Sequence, residues 1–271
     1  MMHRGRRLAA LLAGAALVAF VACTEVATDP NAVVAIRFDG SAYPSIVVGD
    51  SLRDSLGALQ PVRATGLNYK SQAVEGAAFV FSSPDTNLLM SNTGHVVAIS
   101  RKTDATPARI FATVGSLQST PDSLFIVPRA DSIKSAVDVD TINAGTTGRA
   151  TSGEELIQFT VFGDTLARAP KLAVPAWLVS FQLLYHGALL PPTDTSTAYT
   201  YVIVGSGTSQ SLRPTFVDST DASGRAGRGV AVRAIRAGAS EDTISVIATI
   251  RARKAGIAAK SDTTLLVLRR Q

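Results

Sequence analysis

The segment Ala77-Ala78-Phe79-Val80-Phe81 contains two aromatic rings that recur with a period of two, the spacing of side chains on one face of a β-strand. Phe79 and Phe81 are therefore expected on the same face, with Val80 on the other. A strand of this kind is half buried. Two large rings on its inner face predict core anchors rather than a ligand site.

Similar short apolar segments, separated by turn-forming residues, fill the region from Val33 to Val127. The separators combine Gly, Asn, Asp, Ser and Pro, which are the residues that reverse the direction of a chain. Helix signals are nearly absent. The pattern predicts about seven strands, at 33–38, 45–48, 51–59, 77–81, 95–100, 109–114 and 123–127.

The composition of the 271-residue chain also favours an all-β fold, because 46% of the residues are apolar but only 6% are aromatic. β-branched residues favour strands, and the frequent Gly residues favour turns. The single cysteine excludes an intramolecular disulfide, so stability must come from packing. The length is sufficient for two modest domains, each with its own core.

Three motifs in this region resemble the group 2 bacterial immunoglobulin-like domain: Ile46-Val47-Val48-Gly49-Asp50, Phe79-Val80-Phe81-Ser82-Ser83 and Asn92-Thr93-Gly94-His95-Val96-Val97-Ala98. The resemblance covers residues 33–128 and implies a β-sandwich. Domains of this family occur in surface proteins, adhesins and multidomain secreted enzymes. The resemblance thus implies a structural or adhesive module and no chemistry of its own.

Residues 130–271 are expected to form a second, larger domain. A linker followed by one strand is predicted between Ala130 and Ser152. Two longer polar connections, Gly163 to Pro175 and Gly187 to Thr197, account for the greater size of this domain. Further strands are predicted at 156–162, 176–184, 198–204, 229–235, 243–250 and 263–268.

Phe162-Gly163-Asp164, the segment 174–181 and the segment 220–226 resemble the group 1, or invasin-type, bacterial immunoglobulin-like domain. In the last segment Asp221 and Gly224 match the Asp-x-x-Gly turn of that family. Gly224 supplies the positive φ that a tight reversal often needs. The two resemblances together imply an all-β chain of two tandem immunoglobulin-like β-sandwiches.

The N-terminus predicts export, because a basic start is followed by fifteen uncharged residues that lead to Cys23. Residues 1–22 are therefore expected to be a signal peptide, and this run is shorter than the roughly 20 apolar residues of a transmembrane helix. The end of the segment resembles a bacterial lipobox. That resemblance implies that Cys23 is acylated and begins the mature chain, with residues 23–32 as a short tether. Cleavage elsewhere, which would leave Cys23 as an odd thiol, is the alternative.

Candidate catalytic and metal-binding residues are sparse. His95 and His186 have no partners at metal-ligand spacing, and the chain lacks a Gly-x-Ser-x-Gly elbow and a phosphate-binding loop. We therefore expect no catalytic activity, no metal and no cofactor. Two pairs of aspartates could supply oxygen ligands for calcium, although neither follows an EF-hand spacing: Asp138 with Asp140, and Asp218 with Asp221.

Basic residues concentrate in the last fifty or so positions of the chain. In a predicted hairpin of 229–235 with 243–250, alternation turns Val and Ile residues inward and turns Arg233, Arg251 and Arg253 outward. Such a face could bind an anionic glycan or lipid headgroup, or it could be a solvated surface that discourages edge pairing. Nucleic acid is not an expected partner, because no aromatic residues interleave with the arginines.

These features together predict a non-catalytic, lipid-anchored protein of the cell envelope that presents immunoglobulin-like domains for adhesion, protein–protein interaction or assembly. Thr24 follows the cysteine, and resemblance to the sorting rule of some bacteria then implies the outer membrane. The expected partners are the membrane, through Cys23, and a protein or an envelope glycan. The alternative is a carbohydrate-binding module or an accessory subunit of a secreted polysaccharide-processing enzyme system.

Overall fold

The structure is a computed structural model that describes residues 29–102, 104, 106–144, 153–163, 171–190, 201–204, 216–232, 240–254 and 256–270. Every regular element within these ranges is a β-strand, so the all-β prediction is confirmed. The same ranges contain no helix that is long and apolar enough to cross a membrane.

Ten strands lie among the residues that the structure describes between 35 and 127, and we call this part the N-terminal half. They form a three-stranded sheet in the order β1-β3-β4, a five-stranded sheet in the order β2-β10-β8-β5 with β9 beside β8, and the pair β6-β7. All neighbours are antiparallel except β2 and β10, which are parallel. The strands are β1 (Ala35–Phe38), β2 (Ser45–Val47), β3 (Ala64–Leu67), β4 (Ala73–Val74), β5 (Val80–Ser82), β6 (Leu88–Met90), β7 (Val96–Ala98), β8 (Ala108–Val114), β9 (Leu117–Gln118) and β10 (Asp122–Val127).

Inward-facing side chains from these sheets form one core, which includes Ile46, Ile110 and Leu124. Phe81 belongs to it and is only 9% exposed. Phe79 packs against the same core, and its ring centroid lies 6.3 Å from that of Phe81. The prediction that the two rings anchor a core is confirmed.

The predicted strand at 51–59 is wrong, because this segment forms a loop with only isolated bridges to its surroundings. Asp54 turns the chain, since its carboxylate accepts hydrogen bonds from the backbone N–H groups of Leu56 and Ala58, both 2.9 Å long. Gly57 completes the turn with a φ of +92°. We call residues 51–59 the Asp54 loop.

Eleven strands lie among the described residues from 130 onward, and we call this part the C-terminal half. One sheet has the order β11-β13-β19-β17 with β14 beside β13, and the other has the order β12-β21-β20-β15-β16 with β18 beside β15. The pair β12 and β21 is parallel. The strands are β11 (Ala130–Ser135), β12 (Val139–Ala144), β13 (Gly153–Gly163), β14 (Leu172–Ala173), β15 (Leu178–Tyr185), β16 (Ala188–Leu190), β17 (Tyr201–Val204), β18 (Val217–Ser219), β19 (Arg225–Val232), β20 (Glu241–Ile250) and β21 (Lys260–Arg270).

The two sheets of the C-terminal half pack face to face around one core. Phe159 of β13 and Phe181 of β15 come from opposite sheets, are both fully buried, and meet with their ring centroids 5.9 Å apart. Alternating residues of both sheets fill the space between them, as in a β-sandwich.

The predicted hairpin of 229–235 with 243–250 is wrong. Strand β19 pairs with β13 and β17 in one sheet, whereas β20 pairs with β21 and β15 in the other. The predicted inward direction is right, since Val230, Ile244 and Val246 are fully buried. Both sheets turn their apolar faces toward one core, so alternation indicates the buried face of a strand without indicating its partner.

The predicted linker after Ala130 is also wrong. Strand β11 begins at this residue, separated from β10 only by Pro128 and Arg129, and pairs antiparallel with β13. Its six residues contain one large apolar side chain, Ile133, which is buried. A single apolar residue gives no alternation, so the sequence pattern does not predict this strand.

The chain that precedes β1 packs against the N-terminal half from Asp29 onward. The side-chain amide of Asn68 donates a hydrogen bond to the carbonyl oxygen of Pro30 at 2.9 Å, and the N–H of Ala32 donates to the carbonyl oxygen of Asp29 at 3.1 Å. The segment expected as a tether, residues 23–32, is therefore folded over its last four residues.

Strand pairing changes partners between Val127 and Ala130. Within the described residues β1 to β10 pair only with one another, and so do β11 to β21. The two halves nevertheless share apolar contacts, because Val47 and Val127 belong to the core cluster of the C-terminal half. The junction between the halves is therefore packed.

Candidate functional site

Arg253 lies at the centre of this junction, just after β20, and is only 2% exposed. Its guanidinium carbon lies 3.7 Å from the ring centroid of Tyr43 and 5.3 Å from that of Trp177. The guanidinium donates hydrogen bonds to the carbonyl oxygens of Ser45 at 2.9 Å and Arg53 at 2.6 Å. One side chain of the C-terminal half thus binds two segments of the N-terminal half.

Burial changes the titration of Arg253 and Tyr43 in opposite directions. Removal from water lowers the pKa of Arg253 to about 10, and it raises the pKa of Tyr43 to about 12. At neutral pH the guanidinium is therefore charged and the phenol is neutral. The hydroxyl oxygen of Tyr43 accepts a hydrogen bond from the N–H of Leu178 at 2.6 Å, which holds the ring against the guanidinium.

A second arginine, Arg129, bridges the junction from the short connection between β10 and β11. It donates to Oδ2 of Asp50 at 2.7 Å and to the carbonyl oxygen of Ala252 at 3.0 Å. Burial raises the pKa of Asp50, but hydrogen bonds from Arg129, from the N–H of Ser51 and from Arg53 outweigh it and hold the pKa below its ordinary value. Asp50 is therefore an anion between two cations.

The prediction that Arg253 faces solvent is wrong. Strand β20 ends at Ile250, and Arg253 has a φ of +55°, so the alternation of the strand does not extend to this residue. Arg251 is exposed. Arg233, the third member of the predicted face, lies outside the described residues. Among the described residues the predicted arginine face therefore consists of Arg251.

A pocket of about 260 Å³ opens at the corner where the C-terminal half meets the Asp54 loop. Its floor is the outer face of a sheet, where Val217 of β18 and Thr249 of β20 flank Ser180 of β15 in register. Its wall comes from the other half, through Ser55 and Leu56 of the Asp54 loop. Both halves therefore contribute to this pocket.

Arg251 is the cation that lines the pocket, and it makes no hydrogen bond or ion pair with any residue that the structure describes. The hydroxyl groups of Ser55 and Ser180 are equally unengaged within the described part of the chain. The hydroxyl of Thr249, by contrast, lies 2.8 Å from that of Ser261. The pocket therefore offers the guanidinium of Arg251 and the hydroxyl groups of Ser55 and Ser180 to a ligand.

Asp221 and Gly224 lie in the tight turn before β19. The carboxylate of Asp221 accepts hydrogen bonds from the N–H groups of Ser223 at 2.8 Å and Arg225 at 2.9 Å, and Gly224 has a φ of +73°. A Cβ atom at Gly224 would lie 2.9 Å from the carbonyl oxygen of Val161. These two residues therefore stabilise the fold and do not face a ligand site.

His95 and His186, the histidines among the described residues, lie in turns. His186 follows β15, and its Nε2 lies 2.9 Å from Oδ1 of Asp242, whose Oδ2 accepts a hydrogen bond from the hydroxyl of Tyr185 at 2.6 Å. His95 is exposed in the turn before β7. Across the described ranges no three His, Cys, Asp or Glu residues come together in a way that could hold a metal ion.

The aspartates considered as calcium ligands do not form such a group either. Asp218 pairs with Arg228 at 3.0 Å, and Asp221 holds the turn described above. Asp140 accepts a hydrogen bond from the neighbouring N–H of Thr141.

Other predicted features lie outside the described residues. Cys23 is one of them, and so are residues 164–170 and 191–200, which make up most of the two long connections. The described parts of these connections include the short strands β14 and β16.

Tyr43, Asp50 and Arg129 were not identified by sequence reasoning. Each acts through a partner that is distant in sequence, by 79 positions for Arg129 and Asp50 and by 135 for Tyr43 and Leu178. No local motif can reveal such pairs. The available signal was Trp177, the single tryptophan of the chain, which is fully buried next to Arg253.

No protein-family model and no curated protein matches the chain. Among solved structures it is similar to the adhesin InvE of Yersinia pseudotuberculosis, with 14% identity and a TM-score of 0.31 over 89% of this chain and 61% of that one. It is also similar to a PapD-like domain of human CEP192, with 10% identity and a TM-score of 0.31 over 53% and 88% of the two chains. A third similar structure is the EC1-2 fragment of human mucin-like protocadherin, with 10% identity and a TM-score of 0.28 over 87% and 98%. The chain spans about three fifths of the length of the Yersinia adhesin.

Proposed function

We propose that the chain is a non-catalytic, lipid-anchored protein of the bacterial cell envelope. Two immunoglobulin-like domains, residues 33–128 and 130–271, would present a rigid surface to a protein partner in adhesion or assembly. The observation that carries this proposal is the packed junction between the two halves.

Domains within one chain move relative to each other unless their interface is well packed. Here Arg253 of the C-terminal half bonds to two segments of the N-terminal half, and Arg129 bonds to both halves. Val47 and Val127 also extend into the core of the C-terminal half. A surface that spans both halves is therefore ordered before it meets a partner. Binding then loses less conformational entropy than it would with a flexible linker.

The ionisation of three carboxylates, those of Asp50, Asp85 and Asp242, also supports a scaffold. Lys102 lowers the pKa of Asp85 through a hydrogen bond of 2.8 Å. Burial raises the pKa of Asp50 and Asp242, but hydrogen bonds outweigh it and keep both below their ordinary values. A general acid needs the opposite change, a pKa raised toward neutrality. These three groups therefore hold neighbouring residues in place.

The anchoring part of the proposal is tested at Cys23. Burying an acyl chain in the bilayer contributes about 0.8 kcal/mol of transfer free energy per CH₂ group, and more than one chain makes attachment stable. Cys23→Ser should move the protein from the membrane fraction to the soluble fraction and should abolish metabolic labelling with a fatty-acid probe. A Ser variant that stays with membranes as fully as the wild type would place the anchor elsewhere.

The presentation part is tested by loosening the junction. A short Gly-Ser insertion between Pro128 and Arg129 should weaken capture of a cross-linked envelope partner by about tenfold or more, because the interface must then be ordered on binding. The same insertion at Gly115, in the β8–β9 turn, is the matched control and should leave capture unchanged. Equal capture by both insertion variants would refute rigid presentation. Turnover of a polysaccharide, peptide or ester by the purified chain, stopped by one Asp, Glu or His substitution, would establish an enzyme instead.

A further inference from the structure

We infer that the pocket at the junction binds one uronate residue of an acidic glycan, with the sugar carboxylate on Arg251. This inference goes beyond the function proposed above, because it requires neither the lipid anchor nor a protein partner. Four features of the pocket lead to it: its charge, its hydroxyl groups, its apolar sides and its size.

The charge of the pocket comes from Arg251, the nearby arginine that makes no hydrogen bond or ion pair with another described residue. Arg253 and Arg129 bond to backbone carbonyl groups across the junction, and Arg53 and Arg129 also pair with Asp50. Arg251 has no such partner among the described residues. A guanidinium is planar and can bond to both oxygens of a carboxylate at once. The ligand should therefore carry a carboxylate.

The hydroxyl groups of the pocket indicate that the rest of the ligand is polar as well. Ser180 lies on the floor and Ser55 on the opposing wall, and both hydroxyls can donate and accept. Tyr43 lies beside them and uses its oxygen to accept from Leu178, so its own proton remains available as a donor. Hydroxyl groups on more than one side suit a ligand with several hydroxyl groups of its own.

The apolar sides of the pocket suit the C–H faces of a sugar ring. Leu56 on the wall is 74% exposed and Val217 on the floor is 42% exposed. Single exposed apolar side chains are normal on a protein surface. These two line one pocket together with Arg251, and a ring bound between them would cover both.

The size of the pocket limits the ligand to about one monosaccharide. Its volume of about 260 Å³ is below the roughly 300–1,000 Å³ of typical small-molecule sites. Its floor belongs to one half and its wall to the other, so the site exists only while the junction is closed. The buried Arg253 next to it therefore also positions the two sides of the pocket.

The inference is tested by titrating the full chain with galacturonate and, in parallel, with galactose, which lacks the carboxylate. We expect saturable binding of galacturonate and affinity for galactose at least about tenfold weaker, because the charge-assisted hydrogen bonds are lost. Arg251→Gln should raise the Kd for galacturonate by about tenfold. Arg225→Gln, at an exposed arginine on the other sheet, is the matched control and should leave it unchanged.

A second variant separates loss of the site from loss of the fold. Ser180→Tyr places a large ring on the exposed floor of the pocket, away from the core, and should abolish binding without changing the fluorescence of the buried Trp177. The inference is overturned if galacturonate does not bind saturably, if galactose binds equally well, or if Arg251→Gln binds like the wild type. Tighter binding of N-acetyl-leucine than of galacturonate would overturn the sugar assignment in favour of a peptide carboxylate.

Discussion

Arg253→Ala removes the guanidinium at the centre of the junction and should lower the free energy of unfolding by about 2–5 kcal/mol. Two hydrogen bonds from a charged donor are lost, at about 1.5–3 kcal/mol each, and the carbonyl groups of Ser45 and Arg53 lose their partner. The contact with the rings of Tyr43 and Trp177 adds about 2 kcal/mol for a desolvated cation. Against this, burying the charge is unfavourable, since a pKa lowered to about 10 corresponds to roughly 3 kcal/mol.

The backbone at this position provides an internal comparison. Arg253 has a φ of +55°, a conformation that Gly adopts without strain and Ala does not. Arg253→Gly should therefore be about 1 kcal/mol less destabilising than Arg253→Ala, although both lose the same side-chain contacts. Arg251→Ala, at the exposed arginine two positions earlier, is the control and should stay within about 0.5 kcal/mol of the wild type.

The assay is denaturant unfolding followed by the emission of Trp177. This residue is the only tryptophan of the chain, is fully buried, and lies next to the altered side chain, so its signal reports on the junction. An Arg253→Ala variant that unfolds within about 0.5 kcal/mol of the wild type would show that the guanidinium contributes nothing net to stability. The structural argument for a rigid junction would then fail.

Arg253 and Tyr43 also determine how stability depends on pH in alkaline solution. The pKa of Tyr43 is raised to about 12, so its contribution to stability is present below about pH 10 and is lost as the pH rises through 12. The pKa of Arg253 is lowered to about 10, so above that pH its unfavourable buried charge disappears and stability rises. The two effects should largely cancel in the wild type between pH 10 and 12. Arg253→Ala should lose stability there, and equal pH profiles for both proteins would contradict the assignment.

Two further predictions concern the fold. Gly224→Val should cost about 3–5 kcal/mol of stability, because strain at positive φ adds to steric overlap of the new side chain with the backbone. Gly187→Val is the control: its φ is also positive but the space around it is open, so it should cost only about 1–3 kcal/mol, and equal losses in melting temperature would exclude the overlap. Asp85→Asn should lower the free energy of unfolding by about 1–2 kcal/mol at neutral pH, because the hydrogen bond to Lys102 is weakened. This loss of stability should vanish as the pH falls below the ordinary pKa of aspartate, since the wild-type carboxylate is then protonated as well. A loss that persists in acid would mean that packing and not charge is responsible.

Apolar segments predict strands such as β8 and β10, whereas strand β11, which lacks such a segment, is not predicted. Phe79 and Phe81 identify the inner face of their segment, because two large apolar rings at a spacing of two residues are both favoured in the core. Strand β11 contains a single large apolar residue, Ile133, so its sequence predicts a linker. The sequence of the Asp54 loop predicts a strand, because hydrophobic periodicity does not detect a turn that is held by backbone hydrogen bonds to one carboxylate.

The candidate site was less predictable than the fold, because it depends on contacts between distant residues. The alternation of β20 correctly predicts that Arg251 is exposed. Extended past the end of the strand, the same alternation wrongly predicts that Arg253 faces solvent. A strand pattern holds only while the backbone remains extended, and the positive φ of Arg253 ends it. Burial of an arginine also contradicts the usual expectation for a charged residue, and it is possible here only because two carbonyl groups and two rings replace water.

The order of the strands has a consequence for the time course of folding. The N-terminal half completes its pairing with β10, so it can fold as soon as residue 127 has left the ribosome. The larger sheet of the C-terminal half places β21, its latest strand in synthesis, between β12 and β20. Arg253 lies between β20 and that strand. Until Arg253 has been synthesised and packed, Tyr43 and the carbonyl groups of Ser45 and Arg53 remain exposed to water. The N-terminal half therefore has an uncovered end during most of the synthesis of the C-terminal half, and this end is open to premature association.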